Sequence, residues 1–446
     1  MLMWRGGRPR PHGRLGRPSL HKHVTIFRMK LLGALIATLI FNLCVQAQSA
    51  SKAVTVPITL DHNRTIIDAY LTLPDGKTKR VRAWVDNGNA ELWMTGDLAK
   101  QIGLSFNGDA KPALDGKQRA VQTPNSLQIG GMSISLAGIH EGQAILDRES
   151  VAPGCSAEIT IPSSVLRSYD VLFDFPNRQF TIGAPGSVSF KGVSSKLLLD
   201  SKNGLIQVPS KIEGQEFNLA LDVGASITLL SGEQIAQWHK AEPSWPYMIG
   251  GVAAGNMWGS GEEARWPMLR IPSIQFGAAT LLNVAAASFP DEELKWFQNR
   301  AGVATMGLIG ANALVDDRVG IDYAHSTLYL ERTNRSSAPD MNVVGLTLRP
   351  EADRRYTIIG VADYDGKPSV PEVKVGDVLV GVDGAPATGA TMGQVWSLLG
   401  GTPGQVRTLT LEREGKRFTV DAPVRRFLAA APTPVKSPHK NPHKGN

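Results

Sequence analysis

Cysteine is scarce in this chain, with Cys44 and Cys155 the only two among 446 residues. Two distant cysteines make neither a disulfide framework nor a cysteine zinc site. The nine histidines are scattered and never form His-Glu-x-x-His. The chain also lacks a Gly-x-Ser-x-Gly elbow and a Gly-x-Gly-x-x-Gly loop. The sequence therefore predicts no metal and no cofactor, and it argues against zinc proteases, serine hydrolases and dinucleotide enzymes.

Acidic residues are absent from both ends of the chain. Residues 1–30 carry eight Lys and Arg, and residues 425–446 carry five. The net charge is +7 for the whole chain, so the part between these two basic ends carries −6. The basic balance of the chain therefore reflects its ends, and the mildly acidic central part argues against a nucleic-acid surface. The sequence predicts no nucleic-acid partner.

Long apolar runs are also missing, apart from residues 31–43. That run follows Met29 and Lys30 and precedes residues 45–47, which have a small-x-small pattern. It is shorter than the roughly 20 residues that a membrane span needs, and its flanks are typical of a secretory signal. We predict a basic extension plus signal peptide over residues 1–47. The chain is then exported, periplasmic or secreted, with no membrane span when mature; an N-terminal anchor is the alternative.

An internal repeat is the strongest feature that is present. The segment VDNGNAELWMTGD, from Val85, returns 136 residues later as LDVGASITLLSGE, from Leu221. Each copy is typical of a strand, an Asp-x-Gly turn, a second strand and a capped helix. Residues 159–175 align in the same way with residues 307–323, at an offset of 148. The repeat predicts two lobes, residues 51–190 and 191–335.

The two turns place an aspartate at equivalent points of two lobes, Asp86 and Asp222. Two carboxyl groups brought together share a proton, so one can act as a base and the other as an acid. A single Asp-Asn-Gly is more typical of an ordinary hairpin turn. The paired repeat favours a carboxylate dyad.

With these motifs, residues 53–332 resemble a bacterial retropepsin-like aspartic protease with two fused lobes. The resemblance implies a mainly β, pepsin/retropepsin-like β-barrel domain, with Asp86 and Asp222 as the catalytic pair. The family has Asp-Thr/Ser-Gly in each lobe, whereas Asn87 and Val223 follow the aspartates here. The residues expected to support the dyad are Asn87, Gly88, Val223, Gly224 and Ser226.

A mobile cover is expected over such a site. Residues 250–259, GGVAAGNMWG, are rich in glycine and carry two large apolar side chains. We predict a flap hairpin here, with Gly251, Met257 and Trp258 contacting a substrate. A plain loop is the alternative.

Residues 343–426 resemble a PDZ domain of the bacterial type, which implies a small α/β domain that captures a peptide C-terminus. Thr391 and Gln394 predict a capping box at the start of its helix. A peptide added as a strand would bind beside that helix. The residues expected to line this groove are Tyr356, Thr357, Ile358, Ile359, Val395 and Leu399. Residues 427–446 are predicted to be a disordered basic tail.

Together these features predict an aspartic-type endopeptidase whose polypeptide substrate is recruited by a PDZ domain. A catalytically inactive pseudo-protease, or PDZ adaptor, is the alternative. Close carboxyl groups in an open cleft would favour the enzyme, and a cleft filled by side chains would favour the adaptor.

Overall fold

The structure, a computed structural model, describes residues 53–113, 116–333 and 340–429. The predicted signal peptide, the basic extension and most of the basic tail lie outside these residues. The described chain consists mainly of short strands arranged in two lobes, followed by a smaller unit. The prediction of a mainly β, two-lobed fold is therefore confirmed.

The first lobe is a ten-stranded sheet. One of its hairpins joins Thr59–Asp61 to Arg64–Thr72 through His62 and Asn63. Both turn residues have positive φ, which suits a two-residue hairpin turn. In spatial order its strands are Phe106–Ala113, Gly116–Val121, Gly142–Ile145, Trp93–Thr95, Ile159–Pro162, Thr78–Asp86, Arg64–Thr72, Ser126–Ile129 and Met132–Ser135, with Thr59–Asp61 beside Arg64–Thr72.

The second lobe is an eight-stranded sheet that closes on itself. A pairing between Ile206–Ile212 and Pro267–Phe276 joins strands from opposite sides of the sheet and makes a barrel. In spatial order the strands are Leu198–Leu199, Ile206–Ile212, Gln215–Leu221, Gly307–Ile309, Thr228–Ser231, Ala279–Phe289, Pro267–Phe276 and Tyr247–Ile249.

A six-stranded sheet joins the two lobes. At its centre Asp170–Asp174 pairs antiparallel with Asp317–Asp322. These strands lie within residues 159–175 and 307–323, which align at an offset of 148 residues. This repeat in the sequence is therefore also a repeat in the structure. The sheet runs Val54–Pro57, Gln179–Gly183, Asp170–Asp174, Asp317–Asp322, Thr327–Arg332 and Val193–Lys196.

In the described residues helices are few, and three of them begin at a side-chain cap. Thr95 caps Gly96–Gln101 by accepting from Leu98 N, and Ser231 caps Gly232–Ala241. Three further helices are Ser163–Leu166, Asp291–Ala301 and Met392–Leu399. Short 3₁₀ turns occur at Ala253–Gly255, Glu263–Arg265 and Ala311–Ala313.

The last unit, residues 340–429, is called the C-terminal unit below. Its main sheet runs Leu346–Pro350, Tyr356–Val361, Val378–Val382, Val406–Arg413 and Lys416–Pro423, with Ala385–Pro386 beside Val378–Val382. Two small ladders pair Asn342–Val343 with Arg425–Arg426, and Asp363–Tyr364 with Lys367–Pro368. The predicted capping box of Thr391 and Gln394 is present on the helix Met392–Leu399.

One apolar cluster runs from the second lobe into the C-terminal unit without a break. It includes Ile227 and Met257 from the lobe, and Leu348, Ile358 and Leu399 from the C-terminal unit. Burial of this shared apolar surface stabilises the contact between the two parts.

Cys155 is a buried free thiol in a small cluster with Trp84 and Ile66. Burial raises its pKa, which disfavours a reactive thiolate. Among the described residues, no helix is long and apolar enough to cross a membrane. Within the same residues, no three His, Cys, Asp or Glu side chains are grouped to hold a metal ion.

Candidate functional site

The two predicted aspartates lie at equivalent places in the two lobes. Asp86 ends the strand Thr78–Asp86, which pairs in parallel with Ile159–Pro162. Asp222 follows the strand Gln215–Leu221, which pairs in parallel with Gly307–Ile309. The backbone N–H of Asp222 donates to Ile309 O at 3.0 Å. In each lobe a later strand, taken from the segments that align at an offset of 148 residues, therefore fixes the Asp turn.

The two turns face each other so closely that each glycine touches the carboxyl group of the other lobe. A methyl group on Gly88 would lie 2.1 Å from Asp222 Cγ, and one on Gly224 would lie 2.5 Å from Asp86 Oδ1. The same Gly224 methyl would lie 3.1 Å from Asp222 Oδ1. Only glycine leaves room for this approach. The structure thus brings Asp86 and Asp222 together as neighbours, as predicted.

Asn87 joins the two lobes behind the dyad. Its Nδ2 donates to Leu221 O at 2.8 Å, and its Oδ1 accepts from Val223 N at 2.8 Å. Asn87 and Val223 are both fully buried. One amide side chain therefore donates and accepts across the interface, so the absence of a Thr or Ser hydroxyl in the first turn does not leave these backbone groups unpaired.

The two carboxyl groups are almost completely buried, with 6% of Asp86 and 8% of Asp222 exposed. Burial and the neighbouring Asp222 charge raise the pKa of Asp86 well above its ordinary value. Burial also raises the pKa of Asp222, to about 6, although backbone N–H groups oppose this rise. Its Oδ1 accepts from Gly224 N at 2.8 Å and from Ala225 N at 3.0 Å. Asp222 is therefore the partner that ionises first.

Two residues near the dyad were not found from the sequence. Arg64 is fully buried, donates from Nη2 to Met257 O, and its charge lowers the pKa of Asp86. His62 is 7% exposed, and burial, followed by the Arg64 charge, lowers its pKa to about 3. Both belong to a hairpin turn, residues 61–64, called the lobe-one turn below. The only local signal was a polar run, Asp-His-Asn-Arg, typical of any exposed turn.

The predicted bracing role of Ser226 needs correction. Its Oγ lies 3.4 Å from His62 Nδ1, and its backbone O accepts from Asn63 Nδ2 at 3.0 Å. The Asp222 carboxylate is instead held by backbone N–H groups of its own turn. Ser226 therefore links the second Asp turn to the lobe-one turn.

The predicted flap is not an exposed hairpin. Residues 250–259, called the inner segment below, contain a 3₁₀ turn, and both Gly251 and Met257 are buried while Trp258 is partly buried. The buried Glu263 carboxylate shapes it by accepting from Trp258 N at 2.7 Å and from Gly259 N at 2.9 Å. Burial raises the pKa of Glu263 to about 7. The segment is a packed loop, the alternative to an exposed hairpin, and it lies against the C-terminal unit through Asn256 and Gly251.

The predicted peptide-binding strand is an interior strand. Tyr356–Val361, which contains the predicted residues Tyr356, Thr357, Ile358 and Ile359, pairs with Leu346–Pro350 on one side and with Val378–Val382 on the other. Backbone groups already used in two ladders cannot receive a further strand. The sheet has two edge strands, Lys416–Pro423 and Leu346–Pro350, and the second, next to Tyr356–Val361, is called the outer strand below. Val395 and Leu399 are both fully buried in the apolar cluster and do not line an open groove.

No protein-family model matches the chain, and no curated protein matches it. Among solved structures, the chain is similar to the crystal structure of aspartic proteinase from Irpex lacteus. The two are 14% identical, the match covers 65% of this chain and 99% of that chain, and the TM-score is 0.41.

Proposed function

We propose that the protein is an aspartic-type endopeptidase that hydrolyses peptide bonds with a water molecule activated between Asp86 and Asp222. The observation that carries this proposal is the mutual contact of the two Asp turns, with each glycine against the carboxyl group of the other lobe. Two carboxyl groups that are close neighbours in a buried site share one proton. That is the arrangement which acid–base hydrolysis by two carboxyl groups requires.

The hydrogen bonds assign a role to each carboxyl group in this proposal. Asp222 accepts two backbone N–H bonds and is the ionised base, while Asp86 keeps the shared proton. Asp222 removes a proton from water as the water oxygen bonds to the peptide carbon. Asp86 donates its proton to the carbonyl oxygen. The C–N bond then breaks as Asp222 gives its proton to the leaving amine and a hydroxyl of the tetrahedral diol returns a proton to Asp86. The products are a carboxylic acid and an amine, the dyad regains its starting protonation, and no covalent bond to the protein is formed.

The proposed substrate is a polypeptide, and the proposed domains are two protease-like lobes, residues 51–190 and 191–335, with a PDZ-like domain at residues 343–426. A capped helix beside an antiparallel sheet in that last unit supports the PDZ-like assignment. Export to the periplasm or the outside of the cell is proposed from the apolar run at residues 31–43 alone.

A peptide-binding protein without catalysis is the second candidate. The near-complete burial of both carboxyl groups favours it, because a substrate cannot reach them without movement of the surrounding chain.

Cleavage of an unfolded protein by the full chain, beside its Asp86→Asn and Asp222→Asn variants, separates the two candidates. The endopeptidase proposal expects cleavage that falls at least about a thousandfold in either variant, because base and acid act as a unit. Thermal unfolding must show that all three proteins are folded. Folded proteins that leave the substrate intact would support the binding protein, and equal cleavage by all three would place the activity elsewhere.

A further inference from the structure

The free edge of the outer strand is occupied by the protein itself. Asn256 of the inner segment accepts from Leu348 N through Oδ1 at 2.7 Å and donates through Nδ2 to Leu348 O at 2.9 Å. Beside it, Thr347 Oγ1 donates to Gly251 O at 2.8 Å. An edge strand normally leaves such backbone groups free to pair with another strand. The Asn256 amide supplies the two hydrogen bonds that one residue of an added strand would make.

The helix beside this edge is held by the lobe-one turn. Asp61 accepts from Thr391 Oγ1 at 2.7 Å and from Gly393 N at 3.1 Å. A methyl group on Gly393 would lie 2.3 Å from His62 N. The His62 ring also stacks on Trp396, with centroids 6.4 Å apart and planes inclined by 14°. The first lobe therefore docks on the start of the helix Met392–Leu399.

The lobe-one turn also links the inner segment to the second Asp turn. The His62 side chain contacts the inner segment through Nε2, 3.0 Å from Ala253 O, and the Asp222 turn through Nδ1, 3.4 Å from Ser226 Oγ. Arg64 ties the lobe-one turn to Met257 O of the inner segment. The C-terminal unit therefore holds the lobe-one turn, which contacts Ser226, and the inner segment, which lies in one apolar cluster with Ala225 and Ile227 just after Asp222.

We propose that the outer strand is a docking edge for an extended, apolar polypeptide, and that the inner segment occupies this edge as an internal competitor. Polypeptide that pairs with Leu348 displaces Asn256, releases the inner segment and opens the way to Asp86 and Asp222. The C-terminal unit is then a latch whose release admits the substrate. The inner segment, Gly-Gly-Val-Ala-Ala-Gly-Asn-Met-Trp-Gly, is mostly apolar. A polypeptide that replaces it at this edge is therefore expected to be apolar as well. The effect on hydrolysis rests on the proposed endopeptidase function, whereas the release of the inner segment does not.

A double variant, Thr347→Val with Gly393→Ala, loosens both sides of the latch from within the C-terminal unit. Valine removes the bond to Gly251 O, and the new methyl group at position 393 forces the lobe-one turn away. The matched control is Thr410→Val with Ser397→Ala. Thr410 lies on a strand that pairs with the sheet on both sides, and Ser397 is an exposed residue of the same helix.

Hydrogen exchange of the backbone amides in residues 250–259 is the primary readout. We expect exchange at least about tenfold faster in the latch variant than in the wild type and the control, because the lost Thr347 hydrogen bond and the displaced lobe-one turn together raise the population in which the inner segment is open. Hydrolysis of an unfolded protein should rise by a similar factor, because the rate follows the population that can bind substrate.

A synthetic peptide with the sequence of residues 250–259 tests the docking edge directly. At about 1 mM, which approaches the effective concentration of a tethered segment, it should accelerate exchange of the inner segment in the wild-type protein. Its Asn256→Pro version should not, because proline has neither the side-chain amide nor a backbone N–H with which to pair with Leu348.

The outcomes test the latch separately from the proposed hydrolysis of peptide bonds. Exchange that is unchanged in the latch variant, or equal with both peptides, would overturn the latch. Faster exchange without hydrolysis by any protein would support the latch and overturn the proposed endopeptidase. Faster exchange with unchanged hydrolysis in an active enzyme would overturn the claim that the latch controls access.

Discussion

The two Asp turns share one sequence pattern but hold their carboxyl groups differently. In the first lobe, Asp86 accepts from Gly88 N at 3.2 Å, and the next side chain, Asn87, crosses to the second lobe. In the second lobe, Asp222 accepts from two backbone N–H groups at 2.8 and 3.0 Å, and the next side chain is the apolar Val223. Asp222 accepts more and shorter backbone hydrogen bonds than Asp86, so the asymmetry of the turns sets which acid ionises first.

Of the substitutions at the two Asp turns, Asn87→Leu should have the largest effect on stability, since it removes the side chain that joins the lobes. Leucine has a similar volume but leaves Leu221 O and Val223 N buried and unpaired. At roughly 1–3 kcal/mol for each unsatisfied group, the free energy of unfolding should fall by about 2–6 kcal/mol. Chemical denaturation measures this loss. Asn87→Thr, which restores a hydroxyl donor and acceptor, is the conservative control and should recover part of it; a Leu variant as stable as the wild type would refute the bridging role.

Gly88→Ala should break the contact between the turns with a smaller effect on the fold. Its methyl group would lie 2.1 Å from Asp222 Cγ and Oδ2, so the carboxyl groups must move apart. A displacement of this order costs about a hundredfold in rate when groups must be positioned for reaction. Steady-state hydrolysis checks this. Gly138→Ala, where nothing lies within 4 Å of the added methyl group, is the control, and equal losses in the two variants would contradict the close approach of the turns.

Val223→Thr should have the smallest effect. Threonine gives the second turn an Asp-Thr-Gly sequence without changing the shape of the side chain, but Asn87 already pairs the backbone groups at this interface. The free energy of unfolding should change by no more than about 1 kcal/mol, the value of a single hydrogen bond. A gain of several kcal/mol in denaturation experiments would mean that the valine leaves a buried group unpaired.

The dyad could be predicted from the sequence because it rests on local repeats. Asp86 and Asp222 end equivalent apolar strands, and an aligned turn in two similar lobes places them at one point. The capping box of Thr391 and Gln394 is likewise local, and it was also found. In both cases neighbouring residues determine the structure.

The inner segment and the outer strand could not be predicted in the same way. Leu346–Pro350 and Tyr356–Val361 both read as apolar strands, and no local pattern shows which of them has a free edge. The burial of the inner segment depends on Asn256 meeting Leu348, two residues separated by 92 positions in the chain. A glycine-rich stretch is compatible with a flap and with a packed segment, and only the long-range contact decides between them.

The pH dependence of kcat/KM for cleavage of an unfolded protein tests the shared-proton dyad most directly. The rate requires ionised Asp222 and protonated Asp86. With the pKa of Asp222 near 6, kcat/KM should rise as the pH increases through about 6, and it should fall at higher pH as Asp86 loses its proton. Both limbs should vanish with the activity in Asp86→Asn and Asp222→Asn. A rate that is highest near pH 4 and decreases through pH 6, or cleavage that survives either substitution, would contradict the assignment of Asp222 as base and Asp86 as acid.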